Sequence, residues 1–435
     1  MTNNSIIVYE NKNIYSCKEE CNSCNYQDGD NLCCVNYCKP DYFRELKQYC
    51  LLENQNCGLD YSAKDNCISI NKYTGIIQLK DGTYLEILPK LSGNTIGDSR
   101  RIFENLVLAS KNLTREYKHN KDVVSQTKKN KHIVEILISV FCDDLCEILK
   151  KGIKKAYIKK SENLNKYKGK LNFVEHIKYN LTNQSRFFVN YSELCLDIAE
   201  NKILKTACLY LVKQTKNDNN KKILRRFLVE LDDVSVSTNL EKDLQKVNIN
   251  RLNSYYERPL LYAEFFLRKQ VFFPKKGRSK LPALLFPLEK MFEDYIESIL
   301  KSANISYNSQ YCHHCLLKNN LFQTKMDFVI FKDNKAIILD AKWKELDSTS
   351  DKFDVAQADL YQLFAYSELI KNREKDVQKV EIMLLYPKSD KFEEVTKWEY
   401  FNNTPVSIVP INVIEKDNNS LFIKALEKTL LNQQQ

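Results

Sequence analysis

The hydrophobic and polar positions of the first ninety residues follow mostly strand patterns. A short apolar run at Ser5–Tyr9 predicts one strand. In GIIQLKDGTYLEIL, residues 75–88, two apolar-rich runs flank the pair Asp81-Gly82, which is a strong signal for a β-hairpin. Asp41–Leu52 has helical character instead. We therefore predict a β-rich N-terminal domain over residues 1–95.

Helical patterns dominate the next segment, residues 96–275. Pro259 is expected to break or kink the pattern near its end. The polar and basic stretch Ala156–Phe173 interrupts the helices, with Gly169 marking a turn. The predicted helices are Asp98–Tyr117, His132–Lys151, Glu200–Lys213, Lys222–Leu231, Val247–Glu257 and Leu260–Lys269.

A compact α/β pattern follows the segment FPKKGRSKLP, residues 273–282, whose Pro, Gly and basic run is typical of a linker. The predicted order over residues 276–435 is α-β-β-β-α-β-β-α, a small mixed sheet flanked by helices. The helices are Leu285–Ser302, Ala356–Leu369 and Ser420–Leu431, and the strands are Ile305–Tyr307, Asp327–Phe331, Ala336–Ala341, Val380–Tyr386 and Val406–Val413. The fold class is therefore α+β and multidomain.

The distribution of charge favours a polyanionic partner such as DNA. The chain carries a net charge of +10, yet residues 281–435 hold 19 Lys and Arg against 23 Asp and Glu, which leaves 47 against 33 in residues 1–280. A basic body binds phosphates by releasing their counterions, although solvated lysine faces would give the same composition. No apolar run approaches the roughly 20 residues of a membrane span. With no signal peptide evident, we expect a cytoplasmic protein without a membrane partner.

The candidate chemistry lies in KMDFVIFKDNKAIILDAKWK, residues 325–344. Asp327 opens one predicted strand, and Asp340 and Lys342 end the next, two residues apart and so on the same face. A hairpin can bring Asp327 beside them. Two carboxylates and an ammonium at one sheet end suit Mg²⁺-dependent phosphodiester hydrolysis, because Mg²⁺ prefers oxygen ligands and a lysine can activate water or offset charge.

Two flanking helices extend this set. Glu293 lies in FPLEKMFEDYIESIL, and Gln362 and Tyr366 lie four apart in DLYQLFAYSELI. The ordered arrangement of a Glu helix, a D…DxK hairpin and a QxxxY helix resembles the PD-(D/E)xK nuclease superfamily. Met326 stands in place of the superfamily's Pro, and Asp340 takes the D/E position.

The resemblance implies that the catalytic residues are Asp327, Asp340, Lys342, Glu293 and Gln362, with Asp327 and Asp340 as Mg²⁺ ligands. Each motif also has a plainer interpretation. A D-x-K at a strand end can be a surface ion pair, a helical glutamate can lie on a solvated face, and the Gln and Tyr can support the fold.

Several stretches outside this region resemble the McrC family, the nuclease partner of the McrB AAA+ GTPase. They occur in family order over roughly residues 70–370: TGIIQLKDGTYLEILPKL (74–91), LKKGIKKAYIKKSENLNKYKGKLNF (149–173), ELCLDIAENKILKTAC (193–208), FEDYIESIL, ILDAKWK and DLYQLFAY. The resemblance implies a subunit that docks on a McrB-like GTPase or ATPase ring, stimulates it, and cuts double-stranded DNA, which can be methylated. DNA recognition, often of methylated cytosine, would belong mainly to the partner. Consistently, the chain has no G-x-x-x-x-G-K-[ST] loop of its own.

The same resemblance assigns residues 149–173 and the helices around them to a partner-facing stalk. Lys168, Gly169 and Lys170 stand where the family keeps its basic-Gly motif. The plainer interpretation is a β-turn with solvated lysines. Because most non-nuclease motifs precede the predicted linker, we expect residues 1–275 to carry the docking function.

Cysteines are concentrated near the N-terminus, where nine of the fifteen lie between Cys17 and Cys67. A structural Zn²⁺ site, an iron–sulfur cluster and reduced thiols are all compatible with this spacing in a large cytosolic protein. The candidate ligands are Cys17, Cys21, Cys24, Cys33 and Cys38, with Cys34 as a surplus thiol. Cys312-His313-His314-Cys315 is a single CxxC without a second pair nearby, so we do not predict a metal there.

Two other functions fit parts of this pattern. One is a stand-alone repair or recombination nuclease with the same catalytic core, which an NTPase gene next door would argue against. The other is a non-catalytic, zinc-stabilised DNA-binding adaptor. Intact Asp327, Asp340 and Lys342 argue against the adaptor.

Overall fold

The structure is a computed structural model of the 435-residue chain. It describes residues 5–16, 37–52, 58–110, 133–182, 185–268, 281, 283–312, 314–317, 319, 321–350, 352–374, 376–415 and 419–431. These residues form seventeen strands in four sheets and eleven α-helices, which confirms the mixed α+β, multidomain class. No helix in the described ranges is long and apolar enough to cross a membrane.

Contacts divide the chain into two compact units. One comprises Met1–Ile133 together with Gly277–Gln435, and the other is Val134–Lys276. The N-terminal β-rich region and the C-terminal α/β region therefore belong to one unit. The finer division at residues 95 and 275 stays a prediction, and the proposed linker lies largely outside the described residues.

The N-terminal part of the first unit contains two four-stranded sheets. One has the order β1-β7-β6-β11, with β1 Ser5–Tyr9, β6 Tyr73–Gln78, β7 Tyr84–Leu88 and β11 Ala283–Pro287. The other has the order β3-β2-β5-β4, with β2 Asn13–Ser16, β3 Tyr37–Cys38, β4 Leu59–Ser62 and β5 Cys67–Ile70. Helix α1, Pro40–Leu52, packs its Phe43 and Leu46 into their shared core. The predicted strand at Ser5–Tyr9, the hairpin and the helix are confirmed.

Strand β11 was not predicted, since a helix was expected from Leu285. Residues 283–287 instead pair with β6, and the helix begins at Leu288, after Pro287. Gly75 makes this pairing possible: its φ is +141°, and a Cβ there would lie 2.1 Å from the carbonyl oxygen of Leu284. The edge of the N-terminal sheet is therefore completed by a segment two hundred residues later in the chain.

Helix α2, Ile96–Ala109, packs on this sheet. Its start is fixed by a capping box between Thr95 and Asp98. Arg100 donates through Nε and Nη2 to buried Glu86 of β7, at 3.1 and 2.9 Å. The pairing ties α2 to the hairpin. The rest of the predicted helix, residues 111–117, lies outside the described residues.

The C-terminal part of the first unit is a six-stranded mixed sheet with the order β12-β13-β14-β15-β17-β16. Its strands are β12 Asn308–Tyr311, β13 Met326–Lys332, β14 Lys335–Ala341, β15 Lys379–Pro387, β16 Thr396–Glu399 and β17 Pro405–Ile411. The pairs β14–β15 and β15–β17 are parallel, and the other three are antiparallel.

The sheet is flanked by three helices in this part of the chain, α9 Leu288–Ser302, α10 Gln357–Arg373 and α11 Ser420–Leu431. Apart from the unpredicted β11, the predicted helix and strand order is confirmed except at two places. Ile305–Tyr307 does not form the expected strand, because the strand starts at Asn308, and the edge strand β16 was not predicted.

The second unit combines a helical body with a small sheet. The body contains α3 Ile133–Lys151, α5 Ala199–Gln214, α6 Asp218–Glu230, α7 Leu240–Leu244 and α8 Glu257–Arg268. The sheet has the order β8-β10-β9, with β8 Ala156–Leu164, β9 Lys170–Leu171 and β10 Phe187–Cys195, and α4 Phe173–Asn180 joins β9 to β10. The stretch predicted only as polar and basic is thus largely strand.

Two local predictions in this unit were wrong. Apart from Glu257, which begins α8, Val247–Glu257 contains only a 3₁₀ turn, Ser254–Tyr256. The side chains of Asn250 and Asn253 accept hydrogen bonds from nearby backbone N–H groups and so compete with the helix. Pro259 neither breaks nor kinks the chain. It is the third residue of α8, where the first turn has no need of its N–H.

The family-like stretch LDIAENKILK forms the junction between body and sheet. Buried Asn201 donates to the carbonyl oxygens of Lys154 and Leu196, at 2.9 and 2.8 Å, just before β8 begins and just after β10 ends. Lys205 donates to three carbonyl oxygens at the end of α6, those of Leu231, Asp232 and Val234. Both motif residues therefore hold the fold of this unit together.

Candidate functional site

Asp327 and Asp340 lie side by side at one end of the β13–β14 hairpin. The register pairs Phe328 with Leu339, so one residue further along Asp327 faces Asp340. Asp327 Oδ2 accepts a hydrogen bond of 2.9 Å from the backbone N–H of Ala341. The predicted convergence of the two carboxylates is therefore present in the hairpin geometry.

Lys342 follows directly after β14 and turns back onto Asp340. Its Nζ lies 2.9 Å from Asp340 Oδ2, and its backbone N–H donates to Leu385 of β15 at 2.9 Å. The Asp340 side chain is 5% exposed, whereas that of Lys342 is 27% exposed. Oδ2 of Asp340 is buried without hydrogen-bond geometry to any described group, so only the ion pair compensates it.

The carboxylates shift one another's acidity. Burial raises the pKa of Asp327 to about 7, with Asp340 and Glu293 adding to the rise. Burial also raises the pKa of Asp340, which Lys342 opposes and Asp359 and Glu293 reinforce. Burial disfavours the ammonium of Lys342, yet its carboxylate neighbours raise its pKa above the ordinary value. Buried carboxyl groups that repel one another are thus held beside the ammonium of Lys342.

Glu293 of α9 lies at the rim of this cluster. Its Oε2 accepts from Lys290 Nζ at 2.6 Å and from Gln310 Nε2 at 3.1 Å. Gln310, on edge strand β12, was missed by the sequence analysis, because nothing in its neighbourhood marks a site. Its charge acts on both Asp327 and Asp340, so Glu293 is close to the carboxylate pair and is held by two donors of its own.

Helix α10 brings the QxxxY residues and one unpredicted carboxylate. Gln362 is exposed and donates to Tyr366 Oη at 2.7 Å, and Tyr366 donates to the carbonyl oxygen of Lys325 at 3.1 Å, just before β13. One turn before Gln362 stands Asp359, whose charge acts on both Asp340 and Lys342. Helical spacing in DLYQLFAY could have identified Asp359, three residues before Gln362 and seven before Tyr366.

The donor set fits Mg²⁺ better than a metal that needs a protein cage. Within the described ranges no three His, Cys, Asp or Glu side chains converge at ligand distance. Asp327 and Asp340 alone would supply two hard oxygen ligands, and Mg²⁺ usually keeps several waters and takes substrate oxygens for the rest. The buried Oδ2 of Asp340, whose charge only the Lys342 ammonium offsets, is the atom that a cation would bind.

The cysteine predictions fall mostly outside the described residues, which include neither Cys17, Cys21, Cys24, Cys33 nor Cys34. Cys38 is described and is 2% exposed, in the N-terminal core. In the CHHC stretch, Cys312 is exposed, and His314 Nε2 lies 2.8 Å from Glu374 Oε1 of the loop after α10. That contact joins the segment after edge strand β12 to the end of helix α10.

The basic-Gly residues lie at the start of β9. Lys168 Nζ lies 3.0 Å from Glu193 Oε1 and 4.1 Å from the ring centre of Tyr191. Gly169 has φ +75°, and a Cβ there would lie 2.5 Å from the carbonyl oxygen of Asn190. Lys170 is exposed. Lys168 is therefore paired within the small sheet, Gly169 occupies a backbone position with no room for a side chain, and Lys170 presents its charge outwards.

Comparison with known proteins identifies the family to which the chain belongs. Residues 68–387 match the family model of the McrBC 5-methylcytosine restriction system component. Since this match spans well over half of the sequence, the chain belongs to that family of restriction-system components. The recognition made from the ordered motifs is confirmed. No protein of curated function matches the sequence.

Solved structures identify the fold more particularly. One chain of the refined half-complex from the tetradecameric assembly of Thermococcus gammatolerans McrB AAA+ hexamers with bound McrC is similar, with a TM-score of 0.61 and 16% identity, covering 98% of this chain and 100% of that one. A second match is to the cryo-EM structure of the Thermococcus gammatolerans McrBC complex, with a TM-score of 0.45 and 18% identity, covering 70% of this chain and 89% of that one. The fold along almost the whole chain is shared with the first of these.

Proposed function

We propose that the chain is the nuclease subunit of a McrBC-type restriction system, of the PD-(D/E)xK kind. It cuts DNA phosphodiester bonds with Mg²⁺ when assembled on a McrB-like AAA+ ring, which it stimulates. The single observation that carries this proposal is the pairing of Asp327 with Asp340 across the hairpin, with Lys342 Nζ 2.9 Å from Asp340. A surface ion pair would not require two carboxylates side by side on a buried sheet end.

The residues divide the chemistry among them. Mg²⁺, held by Asp327 and Asp340, would supply an activated water and offset the charge that builds up on the phosphate. The Ala341 N–H keeps the Asp327 carboxylate turned toward Asp340. Lys342, anchored by its backbone to β15 and partly exposed, can donate to a phosphate oxygen or orient the attacking water. Glu293 lies beside the Asp327–Asp340 pair, and its negative charge contributes to the raised pKa of Asp327.

The second unit supports the assembly part of the proposal. Its small sheet and helix α4 expose apolar side chains beside outward lysines: Tyr157, Tyr167, Phe173, Val174, Ile177 and Leu181 are each more than half exposed. Exposed aromatic and aliphatic side chains with polar residues around them are typical of a protein-binding face. In the similar Thermococcus gammatolerans structure McrC is bound to McrB AAA+ hexamers, and we infer that this surface faces such a ring.

The test replaces Asp340 and measures two activities. Asp340→Ala should lower Mg²⁺-dependent DNA cleavage by about two orders of magnitude or more. Stimulation of the partner's NTPase should remain, because Asp340 lies in the first unit and the proposed docking surface in the second. Lys342→Ala should behave likewise, with some residual rate.

Asp333→Asn is the matched control, since Asp333 lies at the turn at the other end of the same hairpin, with φ +54°, a conformation that Asn tolerates. It should cut normally. Near wild-type cleavage by Asp340→Ala would show that the active site is wrongly assigned. Equal cleavage by the wild-type chain with and without the NTPase would favour a stand-alone nuclease, and DNA binding without any cleavage would favour an adaptor.

A further inference from the structure

We propose that Gln310 is a positioning residue of the active site, which fixes the carboxylate of Glu293 beside the Asp327–Asp340 pair. This inference rests on the proposed function. Pairing on either side, Ser309 with Phe328 and Tyr311 with Met326, leaves Gln310 opposite Asp327. Gln310, Asp327 and Asp340 therefore form one row across three neighbouring strands.

The backbone of Gln310 marks it as unusual within this row. Its φ is +52°, in the left-handed region that residues with long side chains rarely adopt. Such conformations persist where the surroundings impose them, and they cluster at functional sites. Here the bend lies in an edge strand, at the one position that faces a site carboxylate. We attribute the bend to the need to aim this side chain at Glu293.

A hydrogen bond to Glu293 explains why the backbone bends at Gln310. Gln310 Nε2 donates to Glu293 Oε2 at 3.1 Å, and Lys290 Nζ donates to the same oxygen at 2.6 Å. Lys290 is 46% exposed on its own helix turn, so water competes for its contact. The amide holds Glu293 from the sheet side without bringing a positive charge that would repel a metal ion. A neutral second donor suits a carboxylate that must face a cation.

Two substitutions separate the amide from the backbone bend. Gln310→Met keeps the length and the left-handed backbone but loses the donor. Gln310→Gly loses the donor and relieves the backbone. Asn304→Gly is the matched control, because Asn304 follows helix α9 with a similar φ of +54°. Ca²⁺ binding by the full chain is measured by calorimetry, together with the Mg²⁺ dependence of DNA nicking with the partner and the melting temperature without metal.

Both Gln310 variants should bind Ca²⁺ about 10-fold more weakly and need correspondingly more Mg²⁺ for half-maximal nicking. Gln310→Gly should melt within about 2 °C of the wild type or above it, so that function falls while stability does not. Asn304→Gly should keep wild-type affinity. Wild-type Ca²⁺ affinity in Gln310→Met, with an active wild-type protein, would overturn the role of Gln310 alone. A wild-type chain that neither binds Ca²⁺ nor nicks DNA would overturn the proposed function and this role with it.

Discussion

Glu10 and Trp343, more than three hundred residues apart in the chain, are joined by a buried hydrogen bond. The indole Nε1 of Trp343 donates to Glu10 Oε1 at 2.7 Å, directly after Lys342. Glu10 lies in the turn after β1 and accepts at the same oxygen from the Lys90 N–H, at 3.2 Å. Nearby, the Ser92 N–H donates to Glu345 at 2.8 Å. The N-terminal sheet therefore fixes the segment that carries the proposed catalytic lysine.

The same bond predicts a pH dependence of stability. Burial raises the pKa of Glu10 from its ordinary value to about 7, although Trp343, the Lys90 N–H and the charge of Lys72 oppose the rise. A carboxyl whose pKa is raised on folding stabilises the native state below its unfolded pKa, and loses that contribution as the pH rises through the folded value. Between pH 6 and pH 8 the free energy of unfolding should fall by about 1 kcal/mol on account of Glu10 alone.

Urea unfolding of the wild-type chain and of Glu10→Gln, each at pH 6 and at pH 8, measures this contribution. The amide that replaces the carboxyl in this variant cannot titrate but can still accept from Trp343. The variant should therefore lose less stability than the wild type across this interval. Parallel losses in the two proteins would show that Glu10 is not the group that titrates.

The hairpin of the candidate site could be predicted from the sequence because its information is local. Two adjoining strand patterns contain Asp327, Asp340 and Lys342. Because side chains alternate along a strand with a period of two, the pattern also predicts which of them share a face. Gln310 could not be found in this way. Its role depends on which strand pairs beside β13 and on a backbone bend that no residue pattern marks.

Long-range pairing explains the remaining errors. The segment 283–287 is apolar enough for the start of a helix, and only its partner β6 makes it a strand. The contact between Glu10 and Trp343 likewise depends on tertiary packing. Tertiary context overrides local preference at such positions, most often at sheet edges and at element boundaries.

The second unit should carry partner docking by itself. A fragment of residues 133–276 contains α3, α5, α6 and α8 with their core, in which the rings of Phe141 and Phe266 lie 6.2 Å apart. A fragment of residues 1–275, which the linker position favours, would instead remove β11 from its sheet and Trp343 from Glu10. We expect residues 133–276 to co-purify with a McrB-like NTPase. A fragment that is folded by circular dichroism, yet fails to bind an NTPase that the full chain binds, would contradict this.

The N-terminal cysteines should bind about one metal ion per chain, with zinc the first expectation. The stretch NSCNYQDGDNLCCVNYC has few large apolar side chains, so a metal would stabilise it in place of a core. Elemental analysis of protein purified without oxygen measures the content, and Cys21→Ala with Cys24→Ala should lower it. Cys67→Ala, a buried cysteine of β5, is the control. If neither zinc nor iron is found at a near-stoichiometric level, these cysteines are ordinary thiols and the prediction is wrong.

The basic-Gly residues should separate into a structural and a docking role. Gly169→Ala forces a Cβ against the carbonyl oxygen of Asn190 in a left-handed backbone, so it should destabilise the small sheet by about 1–3 kcal/mol. Lys170→Glu should leave the melting temperature unchanged, because Lys170 is exposed, and should lower NTPase stimulation by about 10-fold if β9 faces the ring. The measurement pairs thermal unfolding with the partner's hydrolysis rate at saturating NTP.

Lys222→Glu provides the comparison for Lys170→Glu, since it reverses an exposed charge in the same unit but on helix α6. Equal losses of stimulation in both variants would mean that the unit's overall charge matters and β9 has no special place. A loss of NTPase stimulation in Lys170→Glu alone would place the partner against the small sheet. That loss should also depend on ionic strength, because a contact between exposed charges is screened by salt. Lys168 is paired with Glu193 and lies over the ring of Tyr191, so Lys170 is the more suitable of the two lysines for a charge reversal that leaves the small sheet intact.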